Sequence, residues 1–190
     1  MNRRIENIKL PLAQLGVRSN QFVHDSALHG ASHVNRVIVH ALQLCEVMGY
    51  EDITPECWAA AYLHDLARRH DGVCYEHGRW AVGEKLPLYE GFFGEAGVKN
   101  FDALTEAVTF HSMKRENREN RVCNILKDAD ALDRCRRGDL DPSYLRLEPT
   151  LSMIADAERL FYQTESETDW MVIWRASDKR SAHQVMKNSM

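Results

Sequence analysis

Residues 59–78 read AAAYLHDLARRHDGVCYEHG, and the fold turns on how this stretch is read. It begins as an apolar helix and ends in a run of polar and ionisable groups. At the change of character stand His64 and Asp65, directly after Ala59, Ala60, Ala61, Tyr62 and Leu63. A carboxylate at the end of a buried helix is costly unless it is paired, hydrogen-bonded or bound to a cation. The expectation is a divalent metal, with the remaining ligands spread along the chain.

Just upstream, Thr54-Pro55-Glu56 opens this helix: Thr is a good N-cap, Pro fits the first helical position and Glu complements the dipole. The pattern predicts a helix from there to about Arg68, followed by a turn at Asp71-Gly72. Further upstream, residues 32–48 predict a strong helix. Val34, Val37, Ile38, Ala41, Leu44, Cys45 and Met48 form its stripe, with Ser32 as N-cap and Gly49 as stop. His33 then falls in the first turn and His29-Gly30 in the loop before it. In residues 1–28, Ile5, Ile8, Leu12 and Leu15 suggest a short helix interrupted near Pro11.

Downstream, a helix is expected from about His77 to Leu86, ended by Pro87. A glycine-rich loop, a candidate flap, follows over 88–99. Phe101–Met113 reads as a helix, and so does a segment from about Asn117 to Cys135, with Val122, Ile125, Leu126, Ala129 and Leu132 as its stripe. Gly138 to Arg146 reads as a loop. Glu148-Pro149 opens a helix to about Gln163, and Trp170 and Trp174 mark a last one. No segment alternates with period 2 for long enough to make a strand. The chain reads as an all-α, compact bundle of roughly six to eight helices. One domain over 1–190 is expected, with a core at about 29–137 and C-terminal helices of 149–190 packing on it.

The totals agree with an ordinary globular protein. The chain has 190 residues, 44% hydrophobic and 27% charged, enough to bury a core without disulfides. A formal charge of −4 and the lack of a basic run argue against a nucleic acid polymer as partner. The cysteines number five, an odd count without a C-x-x-C pair, which suggests free thiols in a reducing cytoplasm. The first residues show no signal-peptide pattern, and no stretch is apolar for long enough to span a membrane. A cytoplasmic protein is expected, with a homo-oligomer left open.

The candidate ligands are His33, His64, Asp65, His77, His111 and Asp130. Each lies at or near the end of an expected helix, where several elements can converge. Imidazole suits transition metals and carboxylate suits harder cations, so the mixture fits Mn, Fe, Co, Ni, Zn or Mg. In KDADALDR, Asp128, Asp130 and Asp133 cannot all point the same way. Asp130 is placed inward, against the competing reading of a solvated carboxylate paired with Arg134. For each histidine the plain alternative is a hydrogen-bonded core or surface group. His24 and His183 are read as bland, His40 as surface or core, and His70 is ambiguous.

The order His33, His64-Asp65, Asp130 resembles the H…HD…D signature of the HD-domain superfamily of metal-dependent phosphohydrolases. HGASHVNRV resembles its HG-x-x-H-x-x-RV opening, LHDLARRHDGVCYEHG an HD helix followed by R-x-x-DG and HG, and KDADALDRCR its DAD-x-LD-x-x-R segment. These segments span about residues 29–137, and the likeness is to small stand-alone HD proteins. The resemblance implies an all-helical hydrolase with metal on His33, His64, Asp65 and Asp130. His77 and His111 are placed as the histidines that bring a second metal in some relatives, so one ion or two is expected. The GYP-type segment of the HD-GYP phosphodiesterases is absent, and so are the additional domains of the guanosine-tetraphosphate hydrolases.

The implied reaction is hydrolysis of a small phosphoester, a nucleotide among the candidates, by metal-activated water. Arg36 and Arg68 are candidates to grip phosphate, with ordinary salt bridges as the alternative. His29 is a candidate general acid or partner of a ligand, and Asp71 a candidate to orient a ligand histidine. Lys127, Arg134 and Arg137 are further candidates near the substrate. Trp170 and Trp174 are read as packing rather than base stacking. Competing readings are a di-iron HD-fold oxygenase, a non-catalytic metal- or nucleotide-binding regulator, and a helical protein whose His–Asp pair is only structural.

Overall fold

The structure is a computed structural model that describes residues 3–113 and 119–178. Among these residues every regular element is helical: α1 (Ala31–Met48), α2 (Thr54–Leu63), α3 (His77–Trp80), α4 (Leu86–Ala96), α5 (Phe101–Phe110), α6 (Arg121–Leu132), α7 (Glu148–Thr164) and α8 (Trp170–Ala176). A π-helical stretch, Ala81–Lys85, joins α3 to α4. The N-terminal lead-in is three short 3-10 turns rather than an interrupted helix. The expected start of α6 near Asn117, and His183, lie outside the described residues.

The centre of the bundle is α2, all ten of whose residues are buried. A helix that is apolar on all sides must have neighbours on all sides. α2 packs against α1, α5 and α6, with α4 across its aromatic flank. On that flank Trp58 and Tyr62 meet Phe92 and Phe93 with ring centroids 5.5–5.9 Å apart. Trp58 Nε1 donates to the Leu15 carbonyl at 2.8 Å, which ties the lead-in to the core. α1 ends at Gly49, whose φ of 66° is the left-handed conformation that glycine adopts at least cost. α7 and α8 pack on α1, and Trp170 Nε1 donates to the Leu12 carbonyl, so the tryptophan pair is packing.

The structure corrects three further expectations. α2 stops at Leu63, not near Arg68. The chain beyond it tightens to i→i+3 bonds, Leu66 to Leu63 and Arg68 to Asp65, both at 3.1 Å. His64 and Asp65 therefore stand at the helix end and face outward from its axis. The glycine-rich stretch over 88–99 is mostly helix α4, and no flap is seen there. Pro87 lies at the start of α4 rather than beyond a helix end. Its ring would clash with the carbonyl four residues back, at Gly83, and Gly83 lies within the widened π turn.

Candidate metal centre

The six expected ligands come from five places in the chain and meet at one point. His33 stands in the first turn of α1, His64 and Asp65 at the end of α2, His77 at the start of α3, His111 at the end of α5 and Asp130 on α6. His33 Nε2 lies 3.4 Å from His64 Nε2, 3.6 Å from Asp65 Oδ2 and 3.4 Å from Asp130 Oδ1. Asp65 Oδ1 lies 3.1 Å from His77 Nε2, which is 2.8 Å from His111 Nε2. The Asp65 carboxylate thus turns one oxygen toward His33 and His64 and the other toward His77. Gly78 makes the second half possible: a Cβ there would come within 2.2 Å of the Val108 carbonyl, on the helix that ends in His111.

The other ring nitrogens decide the chemistry. Nδ1 of His64, His77 and His111 lies 2.7–2.8 Å from the carbonyls of Ala61, Cys74 and Val108. Nδ1 of His33 lies 2.7 Å from Asp133 Oδ2. Carbonyls and carboxylates only accept, so each Nδ1 carries the proton and each Nε2 presents a bare lone pair. Arg68 Nη1 lies 3.4 Å from His77 Nδ1, but the closer carbonyl governs the tautomer. Two pairs of bare acceptors then face one another around a carboxylate, an arrangement that only a proton or a cation between them makes stable. Nitrogen donors with two aspartates suit a divalent metal, so this donor set fits one.

Five of the six groups are buried. Asp130, with a side chain 31% exposed, is the place where solvent reaches the ring. Burial pushes the Asp65 carboxyl up, but His64, His29 and His77 outweigh it and hold it well below its ordinary range. Burial also raises Asp130, and His33 more than reverses this. Burial lowers His64, and it lowers His111 to about 3 with His77 beside it. His77 is the exception: burial lowers it, but Asp65 prevails and its pKa is raised.

Behind His33 lies a residue that the sequence reading did not select. Asp133 is fully buried; burial raises its carboxyl, but His33 and Arg36 outweigh this and bring its pKa down to about 2. Its signal was present: it follows Ala129 by four residues, on the apolar stripe of α6, where a carboxylate needs partners. The third aspartate of the segment, Asp128, accepts from the amides of Arg146 and Leu147 and from Thr150 Oγ1, and so anchors the start of α7.

Several expected roles change. Arg36 Nε donates to Asp133 Oδ1 at 2.6 Å, Nη2 to Oδ2 at 3.2 Å and Nη1 to the Thr164 carbonyl at 3.0 Å. All three guanidinium nitrogens of Arg36 are thus engaged, and Arg36 positions Asp133. Arg68 donates to the carbonyls of His70 and Gly72, at 3.0 and 2.7 Å, and so ties down the loop leading to His77. Asp71 bonds Ser26 and lies 3.6 Å from His24, not beside a ligand histidine. Lys127 Nζ donates to the Met113 carbonyl, and Arg134 and Arg137 pair with Asp139 at the surface. His29 does join the ring: its Nδ1 lies 3.0 Å from Asp65 Oδ2, while its Nε2 is buried without a partner among the described residues.

An all-helical bundle whose helix ends bring bare imidazole nitrogens around one carboxylate has an architecture that could hold a divalent metal. The family model for the HD domain matches residues 30–135, more than half of the chain, and the chain belongs to this family. The superfamily is one of metal-dependent phosphohydrolases, and the buried His/Asp cluster is compatible with their metal site. No curated protein and no solved structure matches the chain. No described helix is long and apolar enough to cross a membrane.

Proposed function

We propose that the chain hydrolyses a phosphoester of a small molecule, with a nucleotide as the leading substrate class, at a centre of two divalent ions. His33, His64, Asp65 and Asp130 would hold one ion, and His77, His111 and the second oxygen of Asp65 the other. The observation that carries this is the pair of facing Nε2 lone pairs on either side of Asp65. When bound, the metal supplies Lewis acidity, lowering the pKa of water and polarising phosphoryl oxygens.

The chain's own residues do the rest. Main-chain carbonyls and Asp133 keep the protons on Nδ1 and so leave Nε2 free to bind. His29 donates from Nδ1 to Asp65 Oδ2 and fixes the rotation of that carboxylate. Among the described residues of the ring Asp130 is the most exposed, so substrate would approach from the α6 side.

The test is metal analysis of the purified protein and a screen of phosphorylated metabolites with Mn, Mg, Fe, Co, Ni and Zn. Bound metal and a released phosphate or alcohol support the reading; no metal and no turnover with any of the ions rejects it. The nitrogen-rich donor set also favours iron as a second reading, oxygenation at two irons. Turnover that requires dioxygen and stops under anaerobic conditions would select it.

A further inference from the structure

A cleft of about 620 Å³ opens beside the first turn of α1. None of the six expected ligands lines it; Gly30, Ala31 and Ser32 do, together with Arg136. No side chain caps α1, an eighteen-residue helix, and the residues at its positive end line the cleft. Arg136 is the independent second feature. Its side chain is only 5% exposed, with Nε donating to the Leu28 carbonyl and Nη1 to the Asp133 carbonyl, both at 3.0 Å. Its Nη2 has no hydrogen-bond partner among the described residues, and Arg136 faces the cleft.

A guanidinium held by two carbonyls in this way offers its remaining amino group as a fixed donor to solvent or to a ligand in the cleft. We infer that the cleft binds one oxyanion group of a small molecule, a phosphate or a carboxylate, between Arg136 Nη2 and the first turn of α1. Asp25 and Glu165 also line the cleft and repel a second negative charge, so the ligand carries a single anionic group rather than a polyphosphate. Arg136 Nη1 also lies 3.5 Å from Asp133 Oδ2, the oxygen that holds His33. The cleft is therefore joined to the metal centre through one carboxylate. The inference does not rest on the proposed hydrolysis.

The experiment is calorimetric titration of metal-free full-length protein with inorganic phosphate, and in a second arm with acetate, at low salt. One phosphate or one acetate per chain is expected to bind with Kd of about 1 mM or tighter. Arg136→Gln is expected to weaken binding about tenfold or more, and Glu165→Gln to tighten it. Ser32→Glu covers the case in which Arg136→Gln does not fold, because an acid in the first turn suits the helix dipole yet fills the seat with charge. Ser32→Glu is expected to keep the thermal midpoint and lose phosphate. No saturable binding of either anion, or unchanged binding in folded Ser32→Glu or folded Arg136→Gln, overturns the inference. Metal-free protein keeps this outcome separate from any failure of the hydrolase reading.

Discussion

His33 and His64 stand at the ends of α1 and α2, buried helices at the heart of the bundle, whereas His77 opens the four-residue α3 after a loop. The two halves of the ring share Asp65 but are held by different means. His33 is oriented by Asp133, which Arg36 grips with two hydrogen bonds. His77 and His111 are oriented by main-chain carbonyls alone, and the loop before His77 depends on Arg68. A charged partner on Nδ1 makes Nε2 a stronger donor than a neutral carbonyl does. On the proposed two-ion reading, the first half is expected to be the tighter site and the second the more readily emptied.

The largest effect expected follows from Asp65, which serves both halves. Asp65→Ala abolishes metal binding at both and reduces hydrolysis to background, as metal analysis and phosphate release will show. His33→Ala and His77→Ala separate the halves. The first is expected to remove the tight ion and all activity. The second leaves one ion per chain with reduced activity, and an equal loss in both would break the asymmetry.

Asp133→Asn comes next. It keeps the shape but leaves His33 without its charged partner, and metal affinity should fall about 10–100-fold with little change for the ion at His77. The same carboxylate contributes to stability. Its folded pKa of about 2 lies below that of an ordinary aspartate, about 3.9. That contribution is present at neutral pH and is lost as pH falls from about 4 toward about 2. Denaturant titrations of wild type and Asp133→Asn at pH 7 and pH 3 should converge as the pH falls.

A smaller effect concerns pH and metal. The raised pKa of His77 means that a proton would compete with metal there at higher pH than at an ordinary histidine, so lowering the pH should empty the His77–His111 half first. Metal stoichiometry across pH 8 to 6 reads this directly. If the ion at His33 leaves first, the comparison is reversed. The smallest change expected is in Gly78→Ala, where a Cβ meets the Val108 carbonyl. Displacement of α3 should cost about 1–3 kcal/mol and loosen the second ion only.

Much of this was legible in the sequence because helix ends announce themselves. Gly49, Thr54-Pro55 and Glu148-Pro149 mark boundaries close to those observed, and the six nominated ligands all come together. α4 was hidden because Gly91, Gly94 and Pro87 read as breakers, while the packing of Tyr89, Phe92 and Phe93 on α2 outweighs their local cost. Asp133 was hidden because two other aspartates in the same segment competed for one role. Only the packing of α1 against α6 and the turn after it shows that Asp130 reaches His33 Nε2 and Asp133 its Nδ1. Arg36 and Arg68 could be read either way for a related reason. A guanidinium near a ligand looks the same in sequence whether it faces substrate or holds a neighbouring carboxylate or carbonyl.

The most direct measurement is calorimetric titration of metal-stripped wild type and Asp65→Ala with Mn²⁺, read as ions bound per chain. Two ions of unequal affinity in wild type and none in Asp65→Ala are predicted. Absence of binding in wild type, or binding that survives Asp65→Ala, would contradict a metal centre bridged by this carboxylate.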